Sequence, residues 1–386
     1  MNAALYDLSP VVRMLFVGVL VACGPLLLVY LRNRRHSPLG MLQALTVVTL
    51  FLAFDLVLFG AFTRLTDSGL GCPDWPGCYG SASPIGASVA IDAAQQAMPT
   101  GPVTPGKAWV EMVHRYLAEA VGVLALVLAV AHGVGRLAKK DQLATHPWWA
   151  LLTAVWVGVQ GGFGALTVTM KLFPAIVTLH LLGGYVLLAL LSIQAGLMDR
   201  QRFSPVSAPP LPATMRRWVF AGLLLLLLQA ASGAWVSTNY AVLVCSDFPG
   251  CQGTWWPQMD FGHGFEIWRP LGFSQDGAHI SFQALTAIHY VHRLLAVLTL
   301  TTLAVLAWYL SKFPATARYA RALGALLGVQ LATGFSNVVL DWPMLAAVLH
   351  TGGAGAMVIV LARLLLAKPT SHPRAVQRAQ TFGIHV

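Results

Sequence analysis

The sequence predicts an all-α membrane protein: two pseudo-symmetric four-helix transmembrane bundles plus one extra N-terminal transmembrane helix. Three observations predict it. Of 386 residues, 57% are hydrophobic and 10% charged, against about 25% charged in a soluble domain, so there are too few charges to cover a water-facing surface. Apolar runs of about 18 residues or more recur, each long enough to span a bilayer. The two halves of the chain also match one another, motif by motif.

The elements follow in order. Residues 11–31 form the first span. It lacks a basic start, and Arg32, Arg34 and Arg35 follow it as at a stop-transfer boundary, so it reads as a retained helix and not a cleaved signal peptide. With its basic loop it makes up residues 1–39. The N-terminal bundle, 40–198, comprises spans 40–63, 108–137, 148–170 and 174–198, with a long loop at about 64–107 after the first of them. A basic linker, 199–215, leads to the C-terminal bundle, 216–367. Its spans are 216–238, 282–311, 317–339 and 343–367, with a second long loop at about 239–281, and a tail covers 368–386.

The net charge of +10 raises nucleic acid as a partner, but the placement of the charge argues against it. Seventeen of the 24 basic residues fall in alternate gaps: 32–35, 136–140, 200–217, 312–321 and 363–378. The two long loops occupy the other gaps and are acidic or neutral. This positive-inside pattern puts the C-terminus in the cytoplasm, with the N-terminus and both long loops outside. Trp75, Trp255 and Trp256 in those loops read as interfacial anchors.

Cys23, in the first span, reads as an inert core thiol. The other cysteines form two pairs, Cys72/Cys78 and Cys245/Cys251, in loops assigned to an oxidising compartment. Each pair frames a Pro-Gly turn that brings the sulfurs together. Structural disulfides and an exchangeable redox pair both fit this pattern.

The repeat is ordered. Gly60-Ala61 matches Gly233-Ala234, and each lies twelve residues before the first cysteine of its loop. Cys72-Pro-Asp-Trp-Pro-Gly-Cys78 matches Cys245-Ser-Asp-Phe-Pro-Gly-Cys251. Val113-His114-Arg115 matches Val291-His292-Arg293, and Gln160 with Gly164 matches Gln330 with Gly334. Leu179-His180, followed by Gly183-Gly184, matches Leu349-His350, followed by Gly352-Gly353. The offsets are 173, 178 and 170, changing only across loops, so the halves form a parallel repeat of four helices each.

Ionisable groups inside a membrane are expensive and point to function. His114, His180, His292 and His350 lie on four spans, in one layer near the outer face. Facing helices can each give one imidazole to a metal between them. No carboxylate or cysteine repeats beside these histidines, which disfavours zinc or a di-iron centre and favours haem iron held from both sides. The natural pairings are His114 with His180 and His292 with His350. The glycine pairs after His180 and His350 offer room for a flat macrocycle, and Arg115 and Arg293 offer partners for its carboxylates. His289, one turn before His292, competes with it as a ligand, but the repeat favours His292.

The halves also differ. Glu111, on the face of His114, stands where the second half has His289. Glu119 corresponds to Val297, and Asp55 to Leu228. Acidic residues confined to one half assign chemistry to the N-terminal bundle and electron transfer to the C-terminal one, since a carboxylate beside a metal cofactor can move protons or stabilise a developing cation. Glu119 reads as the intrahelical partner of Arg115, and Asp55 as a bond to a neighbouring helix.

Together, the Gly60-Ala-Phe-Thr-Arg-Leu-Thr-Asp-Ser-Gly69 stretch, Cys72–Cys78, Glu111-Met-Val-His114-Arg115, Gln160/Gly164, Leu179-His180 and their second-half partners resemble the haem A synthase family over about residues 45–366. The resemblance implies oxidation of the C8 methyl of haem O to a formyl group, by successive hydroxylation and loss of water, to give haem A for cytochrome oxidase. It implies haem B between His292 and His350, and the substrate haem between His114 and His180. It implies that Glu111 is the catalytic carboxylate and Cys72/Cys78 a redox-sensitive pair. Implied partners are haem O synthase, the cytochrome oxidase assembly machinery and membrane lipid, with a quinone as a further one, in a bacterial inner membrane. Three departures from the family stand out: the extra first helix, His289 where a glutamine is common, and the long gap after Arg64. Two other functions fit the histidines alone. A bis-histidine cytochrome b exchanging electrons with quinol leaves Glu111 and the loop cysteines unexplained. A non-catalytic haem carrier needs neither the acidic asymmetry nor a redox pair.

Overall fold

The computed structural model describes residues 9–137, 147–202 and 211–366. Residues 203–210 of the linker, the tail, and His146, His372 and His385 lie outside them. The described helices, in chain order, are α1 (Ser9–Asn33), α2 (Pro38–Leu65), α3 (Ser88–Ala97), α4 (Pro105–Leu137), α5 (Trp148–Thr169), α6 (Pro174–Arg202), α7 (Ala213–Thr238), α8 (Phe261–Gly264), α9 (Phe282–Ser311), α10 (Ala317–Val339) and α11 (Met344–Leu365). Nine of them are long and apolar enough to cross a membrane, and they coincide with the nine expected spans. The chain is a multi-pass all-α membrane protein. The short helices α3 and α8 sit in the long loops, where no element was expected.

Local chemistry sets the helix starts. The Ser37 side chain accepts from the Gly40 N–H (3.2 Å) and Pro38 begins α2; the Ser281 side chain accepts from the Ala284 N–H (3.1 Å) at the start of α9. Each satisfies one of the N–H groups that a first turn leaves orphaned. Pro105 and Pro174 begin α4 and α6, where a missing N–H does no harm.

Within the first half, α2 touches α4, α4 touches α5, α5 touches α6 and α6 touches α2, while α4 and α6 face each other across a diagonal without touching. In the second half α7, α9, α10 and α11 repeat this ring, with α9 and α11 on the diagonal. The halves meet where α11 packs on α2 and α6, and α6 packs on α7. The largest core cluster lies along this seam and includes Leu188, Leu191, Leu226, Leu303 and Leu361. Lipid is as apolar as leucine, so close packing and hydrogen bonds hold such a seam together. Across it Gly355 admits Leu188 and Tyr185, and within the second half Gly222 lets Leu303 approach to 3.0 Å of where a Cβ would stand. Tyr185 donates to the Thr351 carbonyl (2.8 Å). At the loop-bearing end Arg64 donates to the Ser237 carbonyl (2.6 Å) and stacks over Tyr240, which donates to Asp67 (2.7 Å). At the other end Asp199 joins Gln43 to Arg363.

The repeat extends to the backbone. The left-handed residues Asp67, Tyr79 and Gly80 recur as Tyr240, Gln252 and Gly253, and Lys171-Leu172 recurs as Asp341-Trp342. Both Trp75–Pro76 and Phe248–Pro249 are cis.

The additional helix α1 packs on α4 and α2 through buried Met14 and Ala22, with Gly18 against Glu119. Cys23 is exposed on the outer side of α1. This corrects its reading as a core thiol: α1 has neighbours on one side only.

Candidate functional site

The four histidines stand on the two diagonals, His114 on α4 with His180 on α6, and His292 on α9 with His350 on α11. Each ring lies within electrostatic reach of its diagonal partner. All four are half-buried. Each rests its Cε1 edge against a glycine of an adjacent helix. A Cβ there would lie 3.1 Å from His114 at Gly60, 3.6 Å from His180 at Gly164, 2.9 Å from His292 at Gly233 and 3.3 Å from His350 at Gly334. These glycines let the neighbouring backbone approach the imidazole closely.

Among the described residues no hydrogen bond reaches Nε2 of His114, His180 or His350, and on His292 it meets only the Gln229 amide at 3.5 Å. By contrast both nitrogens of His289 are engaged: Nδ1 with the Ala241 carbonyl (2.8 Å) and Nε2 with Arg293 Nε (3.2 Å). Of the two competing histidines, His289 has close partners at both nitrogens, whereas His292 Nε2 has only the 3.5 Å contact. No third His, Cys, Asp or Glu joins either diagonal pair among the described residues. Two imidazoles facing across a bundle, without a carboxylate or thiolate, fit haem iron better than a small ion that needs four ligands.

Above the first pair, α4 carries Glu111 one turn nearer the long loop. Glu111 is buried; its Oε2 accepts from the Cys72 N–H (2.8 Å) and its Oε1 pairs with Arg115. Arg115 also donates to the carbonyls of Asp74 (2.9 Å), Pro76 (3.1 Å) and Gly77. Disulfides join Cys72 to Cys78 and Cys245 to Cys251. Arg293 repeats the clamp, donating to the carbonyls of Asp247 (2.8 Å), Gly250 (2.7 Å) and Cys245 (2.6 Å). Asp74 accepts from the N–H groups of Tyr79 and Gly80, and Asp247 from those of Gln252 and Gly253. These donors, Gly253 first, hold the Asp247 carboxyl below the usual carboxylate range. A glycine is needed at 80 and 253, where φ is 70° and 71°.

Residues 43–362 match the family described as cytochrome oxidase assembly protein. The chain belongs to that family. Its curated relatives include haem A synthases from Shewanella oneidensis (35% identical over 81% of this chain and 92% of the relative), Allorhizobium ampelinum (30% over 84% and 88%) and Sinorhizobium medicae (31% over 84% and 87%). Membership covers both diagonals and both cysteine loops.

Three expectations about this family member need correction. Arg115 pairs with Glu111 and not with Glu119, because the loop carbonyls draw its guanidinium toward the helix start. Glu119 Oε2 instead lies buried and unpartnered near Gly18 of α1. The glycines after His180 and His350 hold protein, not open space. Gln160 fills the volume at Gly183, Gln330 that at Gly353, and Leu58 that at Gly352. So Gly183 pairs with Gly353, at the common offset of 170. The guanidiniums of Arg115 and Arg293 also hold carbonyls of the cysteine loops, which the sequence did not indicate. Asp55 has no hydrogen bond or ion pair among the described residues, contrary to its expected bond to a neighbouring helix.

Sequence reading missed Ser232, Thr333 and Gln229, which touch the C-terminal histidines. The signal was available: the register that aligns Gly60 with Gly233 sets Phe59 against Ser232, a polar gain beside a ligand.

Proposed function

We propose that this chain oxidises the C8 methyl of haem O to a formyl group to give haem A. The N-terminal bundle holds the substrate through His114 and His180. The C-terminal bundle holds haem B through His292 and His350. The observation that carries the reading is the pair of diagonals, each with two facing imidazoles and no third metal-ligating side chain among the described residues, in a chain 35% identical to a haem A synthase.

When bound, haem B supplies one-electron redox chemistry. The chain's own residues do the rest. His114 and His180 orient the substrate between α4 and α6, and Gly60 and Gly164 set the approach of their rings. Glu111 brings a carboxylate to the mouth of that bundle, its position fixed by Cys72 N–H and Arg115. There it can stabilise positive charge that develops on the substrate, or take a proton at Oε1 or Oε2. The Cys72–Cys78 disulfide is tied to Glu111 through the Cys72 backbone, so a change in its redox state reaches the carboxylate directly. Arg115 and Arg293 fix each cysteine loop over its histidine pair.

The positive-inside pattern supports a cytoplasmic C-terminus and an outer-face position for both loops in a bacterial inner membrane. Delivery by a haem O synthase and onward transfer to cytochrome oxidase, with a quinone as electron partner, complete the reading. The test is expression with a source of haem O, followed by mass analysis of extracted haem. Haem A is the expected product; its absence with haem O retained overturns the proposal.

A further inference from the structure

The two histidine pairs differ in how the protein meets their ring nitrogens. In the C-terminal bundle, Ser232 Oγ lies 2.8 Å from His292 Nδ1 and Thr333 Oγ1 lies 2.9 Å from His350 Nδ1. Both hydroxyl protons are already used: Ser232 donates to the Gln229 carbonyl (2.8 Å), and Thr333 to the Val329 carbonyl (2.7 Å). A hydroxyl has one proton and two lone pairs, so each oxygen must accept from the ring. Nδ1 therefore carries the ring proton and Nε2 the lone pair. The Gln229 amide also stands 3.1 Å from His292 Nδ1, but it has the His292 carbonyl, at 3.3 Å, to donate to. Gln330 donates to the His350 carbonyl (2.9 Å).

In the N-terminal bundle the same three atoms lack partners. His114 Nδ1, His180 Nδ1 and Gln160 Nε2 are buried with no hydrogen bond. The register explains it: Phe59 stands in the place of Ser232, Phe163 in that of Thr333 and Leu56 in that of Gln229. Phe59 lies nearly parallel to the His114 ring, at 8° and 6.2 Å between centroids. An orphaned buried polar atom loses its hydration without a replacement bond, so three in one site call for a functional reason.

We propose that Ser232 and Thr333 are positioning residues that lock His292 and His350 as Nε2 ligands of a resident haem. Phe59 and Phe163 withhold that lock from His114 and His180, so that the haem they bind can leave. The inference rests on the ligand assignment made above. An Nδ1–H donated to oxygen fixes the ring and raises the basicity of Nε2, which favours ferric iron and tight retention. A product site needs the opposite. The asymmetry follows from side chains that differ between the halves, not from the ligands, which are the same in both.

The experiment uses the full-length protein purified with haem B bound, and apomyoglobin as a haem acceptor. Ser232→Ala with Thr333→Val should speed haem transfer about 10- to 100-fold, the usual effect of losing a ligand's hydrogen-bond partner. The midpoint potential should rise by about 59 mV for each tenfold preferential loss of ferric affinity. Ser232→Thr and Thr333→Ser should keep wild-type values. A transfer rate and potential unchanged in the Ala/Val variant overturn the lock. Placed in a His292→Ala, His350→Ala background, where only the first pair can hold haem, Phe59→Ser with Phe163→Thr should slow transfer; an unchanged rate overturns the N-terminal half of the inference. Failure of the ligand assignment looks different: His292→Ala would then retain haem B in full.

Discussion

Gly233→Ala isolates the fit between α7 and the His292 ring. A Cβ at Gly233 would stand 2.9 Å from His292 Cε1. Carbon atoms settle at about 3.5–4.0 Å, so the ring must retreat by roughly 0.6–1 Å. Ser232 is on the same helix, and its Oγ lies 2.8 Å from Nδ1. A retreat from α7 of that size takes this contact beyond the normal limit of about 3.2 Å. Overpacking costs about 1–3 kcal/mol, while alanine regains at most about 1 kcal/mol of helix propensity. The net loss of stability is therefore small, roughly 0–2 kcal/mol, and the ligand geometry suffers more than the fold. The assay is the ratio of haem B to protein and the Soret spectrum of the purified variant, beside its thermal unfolding. The two glycines that face the haem B ligands make a series: with Cβ distances of 2.9 and 3.3 Å, damage should be greater for Gly233→Ala than for Gly334→Ala. Gly328, with nothing within 4 Å, is the control. A Gly233→Ala protein with wild-type haem content and spectrum, or a series in the reverse order, refutes the reasoning.

Further outcomes follow from the loops and the carboxylate. Glu111→Gln should retain haem B and abolish haem A formation, read by mass of extracted haem, whereas Glu111→Ala should also destabilise, by about 3–5 kcal/mol, because it strands Arg115. Arg115→Lys removes the planar fork that serves three loop carbonyls and Glu111, so the Cys72 and Tyr79 amides should exchange hydrogen faster; unchanged protection would count against the clamp. Outside the membrane, Asp260 raises the His263 imidazole above its ordinary value, and His263 lowers Asp260. The raised histidine contributes at pH below its ordinary value of about 6.5, and the contribution is lost as pH rises through the folded value. The lowered aspartate contributes above its ordinary value of about 3.9 and loses that as pH falls through its folded value. The Asp260 cap of α8 should thus be firmest at mildly acid pH, and an NMR titration should find His263 nearer 6.5 in Asp260→Asn; an unmoved titration removes the pairing.

Much of this protein was legible in its sequence. Nine spans, their order and their repeat follow from apolar length and motif spacing, because a bilayer demands continuous apolar helices whatever their partners. The four histidines and Glu111 stood out because ionisable groups are rare in such segments. What sequence could not supply was direction. Arg115 lies four residues from both Glu111 and Glu119, and only the folded loop carbonyls draw it toward Glu111. Gly183 looked like space beside His180 until Gln160, from the neighbouring helix, filled it. Ser232 and Thr333 gained meaning only when α7 and α10 brought them to the rings of His292 and His350. Spacing along one helix reports its own face, but which atom meets that face depends on the rotation and height of another helix, and tertiary packing alone decides both.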